Sequence, residues 1–248
     1  MTIHYENAPI TEALIDIRVN LPVSATGLRL LESVHGRVRG TYPGKKRTLH
    51  VLGRFSGGDA VGASATQTQT GFAFSSEDGR QVFQARHDGF TFSRLRPYVS
   101  WRELRDEARR LWEIYREVVT PETIDRVAVR YINQIDIPLP AIEHKDYFRT
   151  TPEVSPVLPQ GLSGFFMQLQ FPQPDFGGLL ILTQAAVPAP NPNTNSVILD
   201  IDVSKEAALA DDEEVWGLLE VLRDKKNEFF EGCITDRTRA LFGNRQES

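Results

Sequence analysis

The stretch Ile124-Asp-Arg-Val-Ala-Val-Arg-Tyr-Ile-Asn-Gln-Ile-Asp-Ile-Pro138 decides how this chain is read. Strand side chains alternate between two faces. Val127, Val129, Tyr131, Ile135 and Ile137 therefore share one face, and Arg126, Arg130, Gln134 and Asp136 share the other. At about 3.3 Å per residue the run would reach roughly 45 Å, well beyond a common strand. A bulge or strong bend is expected within it, because an extra residue re-aims the side chains that follow. Asn133 interrupts the apolar face and marks the expected place. A buried Asn must find partners. It either satisfies backbone groups at the bulge or contacts a ligand.

Upstream, Glu12–Leu21 alternates in the same way, with Ala13, Ile15, Ile17, Val19 and Leu21 opposed to Glu12, Asp16, Arg18 and Asn20. Ser24–Val38 has helical spacing, and Leu49, Val51 and Phe55 suggest a strand. Ser56–Thr70 holds almost nothing large, so we expect a mobile loop. The turn signals Asp78-Gly79 and Asp88-Gly89 predict a meander of Gly71–Ser75, Arg80–Arg86 and Gly89–Arg94. Ser100 and Glu103 form a capping box. It opens a helix with the stripe Trp101, Leu104, Ala108, Leu111, Trp112, Tyr115 and Val118.

Downstream, Ile142–Phe148 reads as a short helix, and the proline-rich 150–162 as a connection. Phe165–Phe171, Leu179–Ala186 and Val197–Val203 read as strands. Asp211 is placed to cap a long helix with Val215, Leu218, Leu219, Leu222 and Phe229 inward, broken at Gly232. Thr235 caps a last short helix ending at Gly243.

The fold class this predicts is α+β. It is a large, mainly antiparallel sheet built from two β-α-β(n)-α halves, 1–120 and 121–248, within one domain 1–248. Two long helices, Ser100–Val118 and Asp211–Phe230, would back the sheet on one side. Helix-grip and saddle-like folds share this outline, an analogy that concerns fold alone.

Composition narrows the function classes. The 248 residues are 40% hydrophobic and 25% charged, with net charge -5. That suits a folded core and disfavours generic nucleic-acid binding. The single Cys233 excludes an internal disulfide framework and a multi-thiolate metal site. No apolar run approaches the length of a membrane span, and the first residues lack a signal-peptide pattern. A cytoplasmic protein with no membrane partner is the expectation.

No recognised catalytic motif occurs in the chain. His4, His35, His50, His87 and His144 lack zinc-motif spacing, and Gly40–Lys45 lacks the spacer and Ser/Thr of a phosphate loop. We expect no metal and no cofactor. Asp16, Asp136, Asp200 and Asp202 lie on strands opposite the apolar faces. They could converge to hold Mg²⁺ or act as acid and base. Alternatively, Arg18, Arg126 and Arg130 on the same faces would absorb them in cross-strand ion pairs, with Asp16 the expected partner of Arg130. Between Glu32 and Asp59 there is no acidic residue, yet Arg37, Arg39, Lys45, Lys46, Arg47 and Arg54 all occur. This stretch is either a solvated surface or a phosphate contact.

Pro9-Ile-Thr-Glu-Ala13, Arg130-Tyr-Ile-Asn133, and Ile234-Thr235 through Arg239, Phe242 and Gly243 resemble a sporadically distributed bacterial family of about this length. The resemblance spans nearly the whole chain. It implies a bacterial module of unknown function and supplies no activity, cofactor or catalytic residue.

The expected function is therefore a binding or interaction module. Its candidate contacts are Arg18, Arg126, Arg130, Asn133 and Gln134 on the sheet, and Lys45, Lys46 and Arg47 on the basic stretch. A protein or a small anionic ligand is the expected partner, with self-association possible. The rival classes are a carboxylate-dependent enzyme acting on nucleotides or nucleic acid, and a nucleic-acid binder using residues 37–54.

Overall fold

A computed structural model describes residues 3–22, 27–56, 62–140, 143–209, 212–243 and 245–247. In chain order they form β1 (Ile3–Tyr5), β2 (Ile10–Asn20), α1 (Leu28–Val38), β3 (Gly44–Ser56), β4 (Gly62–Ser75), β5 (Gln81–Arg86), β6 (Gly89–Leu95) and α2 (Trp101–Val119). Then follow β7 (Thr123–Pro138), β8 (Phe166–Gln173), β9 (Gly178–Val187), β10 (Thr194–Leu209), α3 (Asp212–Cys233), α4 (Asp236–Leu241) and β11 (Arg245–Glu247). Nine strands make one antiparallel sheet in the order β3-β4-β5-β6-β2-β7-β10-β9-β8. β1 and β11 pair separately.

Alternation decides which face of the sheet is covered. Ile17 on β2 lies opposite Phe90 on β6 and Val127 on β7, and Ala13 lies opposite Tyr131. All are buried. Trp112 of α2 meets Phe90 edge-on, and Lys226 of α3 lies over the Tyr131 ring. Both long helices therefore pack on this one face, as the apolar stripes require. Each large apolar side chain buried there contributes roughly 1.5–3 kcal/mol before ordering entropy. The opposite face carries Asp16, Arg126, Arg130 and Asp202. Among the described residues, no helix is long and apolar enough to cross a membrane.

The central strand does carry an extra residue, but at Asp125 and not at Asn133, the expected place. The β2–β7 register slips between Ile10↔Asn133 and Glu12↔Ile132, so the extra residue is Thr11 on β2. The Thr11 hydroxyl donates to the Ile132 carbonyl at 3.0 Å. A second slip leaves Asp125 extra on β7, between Arg18↔Arg126 and Val19↔Ile124. Asn133 is 2% exposed, and its amide donates to the Leu199 carbonyl at 2.9 Å.

Several elements depart from the sequence reading. Residues 62–70 are strand, not mobile loop: β4 pairs with β3 up to Ser56↔Gly62. The ladder satisfies backbone groups whatever the side chains, and Thr66, Thr68 and Thr70 suit a strand. The rest of the expected loop, 57–61, lies outside the described residues. α3 runs past Gly232 to Cys233, and β10 extends the expected Val197–Val203 to sixteen residues. The expected helix at 142–148 is a single turn, His144–Asp146, with Ile142 outside the described residues. Asp211, the expected cap of α3, also lies outside them.

The capping box is half formed. Ser100 Oγ accepts from the Glu103 amide at 3.1 Å. Ser100→Ala should therefore cost about 1 kcal/mol in denaturant unfolding, the ordinary worth of such a cap. Thr235 caps α4 in the same way, accepting from the Thr238 amide.

Candidate functional site

The open face of the sheet holds an ion-pair network centred on Asp16. Its carboxylate accepts from Arg86 Nη2 at 3.0 Å, Arg18 Nε at 3.0 Å, Arg126 Nη1 at 3.2 Å and the Thr91 hydroxyl at 2.7 Å. Burial pushes the Asp16 carboxyl up, but Arg86, the Thr91 hydroxyl and Arg18 outweigh it and hold it below the ordinary value. Arg130 is paired, though not with Asp16. It grips Asp200 through Nε at 2.9 Å and Nη2 at 2.6 Å. On β2 Arg130 faces Leu14, whereas Asp200 sits diagonally across on β10, opposite Ile132.

Asp202 is served less well. Arg126 Nη2 is 3.5 Å from its Oδ1, which is buried without a hydrogen bond. Burial pushes its carboxyl up against the pull of Arg126 and Arg130. Asp136 stands apart, accepting from Ser196 Oγ and from Gln134 Nε2. So Asp16, Asp200 and Asp202 come together among guanidiniums, and Asp136 does not join them. Among the described residues, no group of three or more His, Cys, Asp or Glu side chains is arranged to hold a metal ion.

The basic stretch finds anions from elsewhere in the chain. Lys45 pairs with Glu32 and lies 4.6 Å above the Phe72 ring, and Arg37 pairs with Glu117 of α2 at 2.5 Å. Lys46 and Arg47 are exposed on β3.

A cavity of about 900 Å³ opens at the end of β7. Five segments distant in sequence wall it: Tyr5–Ile10, Arg96–Trp101 without Ser100, the β7 residues Tyr131 and Asn133 to Asp136 except Ile135, Arg223–Glu231 of α3 in part, and Leu241 with Phe242. Asn133 and Gln134 thus face this cavity, while Arg18, Arg126 and Arg130 belong to the network on the open face.

The cavity contains a lysine the sequence reading passed over. Lys226 is 8% exposed. It continues the buried stripe Val215, Leu219, Leu222, Phe230 at helical spacing, so it occupies a core position of α3. Its Nζ lies 3.8 Å from the centre of the Tyr131 ring, and among the described residues it makes no hydrogen bond or ion pair. Burial, with Arg223 adding to it, brings the amine down to about 7, against the weaker pull of Glu231 and Asp224. The Tyr131 hydroxyl is 2.9 Å from that of Tyr98. Burial pushes the Tyr98 phenol up to about 12 and Tyr131 well above its ordinary value.

Of the neighbouring carboxylates, Glu6 is exposed and makes no ion pair among the described residues, and the others are engaged elsewhere. Glu231 accepts from the Tyr5 hydroxyl at 2.7 Å and Arg239 Nε at 2.9 Å. Asp224 pairs with Arg223 and Glu228 with Lys225, each at 2.8 Å. Arg96 is exposed at the rim and, among the described residues, has no ion pair. An apolar period interrupted by one Lys was the available signal for Lys226. No family model matches this chain, and no curated protein matches it.

Proposed function

We propose that this chain is a binding module that holds a small anionic molecule in the cavity between β7 and α3. The observation that carries this reading is Lys226, a buried amine that faces the cavity with no counter-charge of its own. Leaving a charged amine there unpaired is costly. An arriving anion supplies the missing partner. Arg96 at the rim offers a second cationic contact, while Asp136, Asp224, Glu228 and Glu231 are already engaged. Asn133 and Gln134 add directional polar groups.

The carboxylate-enzyme and nucleic-acid readings have weaker support. Asp16 and Asp200 are neutralised by guanidiniums, and Lys45 and Arg37 by glutamates. We also read the sheet as an internal duplication. Each half places its first long strand beside its last, β2 by β6 and β7 by β10, and follows the last with a long helix. The likeness to a bacterial family of unknown function fits such a module.

A thermal-shift series with pyruvate, 2-oxoglutarate, citrate and phosphate tests the binding reading. A ligand at a hundredfold excess over its Kd adds about 2.7 kcal/mol to stability. At least one anion should raise the Tm of the native chain. Ala8→Trp, which fills the cavity from an exposed wall residue, should abolish the rise. Equal responses of both chains to every anion would overturn it.

A further inference from the structure

We propose that the Lys226 amine condenses reversibly with the carbonyl group of a small oxo acid held in this cavity, forming an imine. The inference rests on the binding reading and gives its ligand a chemical class. Three observations lead to it. Lys226 is buried in the cavity wall, its only direct partner among the described residues is the Tyr131 ring face, and the hydroxyl of that same ring lies 2.9 Å from the Tyr98 hydroxyl.

Magnitudes separate this from a purely structural lysine. A cation–π contact is worth about 0.5–2 kcal/mol. The effective cost of burying an ammonium is several kcal/mol. The Tyr131 contact therefore does not offset the burial, and the site favours the neutral, nucleophilic amine. Desolvation beside a second cation, here Arg223, is a known way to activate a lysine towards carbonyls.

The step balances without any oxidant or reductant. The Nζ lone pair bonds to the carbonyl carbon, and the C=O π pair moves to oxygen, which takes a proton. The carbinolamine then loses that oxygen as water while nitrogen gives up its protons and the C=N bond forms. Water reverses the sequence. Tyr98 and Tyr131, which line the cavity, stay protonated at neutral pH and are hydroxyls that can supply the proton to oxygen, whereas the Tyr5 hydroxyl is committed to Glu231. Arg96 at the rim suits the carboxylate of an oxo acid.

The test uses the full chain with pyruvate and cyanoborohydride at pH 7.5, followed by peptide mapping. An amine of pKa about 7 is mostly neutral there, whereas an ordinary lysine is neutral at about one part in a thousand. Reduced adduct at Lys226 should exceed that at the exposed Lys46 at least tenfold, and Lys226→Met should lose it while Lys46 is unchanged. The pyruvate thermal shift without reductant is measured in parallel. A shift that Ala8→Trp removes, with Lys226 labelled no more than Lys46, overturns the imine and leaves the binding reading standing. No pyruvate shift and no selective label overturns the imine, and the binding reading falls with it only if the other anions of the series also give no shift that Ala8→Trp removes.

Discussion

Lys226→Met is expected to stabilise the fold by about 3–4 kcal/mol at pH 6–7. The folded chain holds this amine at about 7 against an ordinary 10.5. At about 1.4 kcal/mol per unit, the ceiling on the penalty is about 5 kcal/mol. Methionine matches the length and apolar character of the lysine stem but gives up a cation–π contact of about 0.5–2 kcal/mol. The sign of the pH dependence follows. Between about 7 and 10.5 the unfolded chain binds more protons at this position than the folded one, so stability rises with pH. The penalty is complete below about 7 and gone above 10.5. Denaturant unfolding of both chains from pH 6 to 10 should show the variant's advantage shrinking as pH rises. The Tyr5 and Tyr98 phenols, both pushed up to about 12, are common to both chains and cancel in the difference. Parallel curves would count against a depressed amine.

Asp16→Asn should act in the opposite direction, costing about 3–5 kcal/mol, the typical result of breaking a buried charge pair from one side. The substitution leaves Arg86, Arg18 and Arg126 facing one another without their shared anion. Arg86 and Asp16 are the well-buried pair, each with a side chain 11% exposed. The Asp16 carboxyl lies below its ordinary value in the folded chain, so its contribution is complete above the ordinary carboxylate range. It is lost as pH falls through the folded value. The native chain should therefore lose stability in acid more steeply than Asp16→Asn. Arg18→Ala is the contrast: that side chain is 45% exposed, and its loss should cost about 1 kcal/mol or less. Equal effects of the two substitutions would contradict a network centred on Asp16.

The sequence disclosed elements wherever burial left a period. β2 and β7 alternate because one face is covered, and α2 carries its stripe and cap openly. The first part of β4, residues 62–70, was illegible because its exposed Thr and Gln residues have no apolar partner to alternate with, whereas Gly71–Ser75 was read as strand. Ion-pair partners were harder. Which carboxylate meets Arg130 depends on the register between β7 and β10, and Arg86 reaches Asp16 from a strand two places away in the sheet. Glu117 reaches Arg37 across eighty positions, so counting charges along the chain overstated how unopposed the basic stretch is. The cavity was hidden for the same reason, since five separated segments build it. Lys226 was hidden by convention: helical faces are read from their apolar residues, and the polar residue at a core position is the informative one.

The pKa of the Lys226 amine, followed by NMR of its side-chain nitrogen or adjacent carbon, tests the account most directly. A midpoint near 7, well separated from the other lysines, is the predicted result. A midpoint near the ordinary 10.5 would mean that the ammonium is solvated or paired, and would contradict the account.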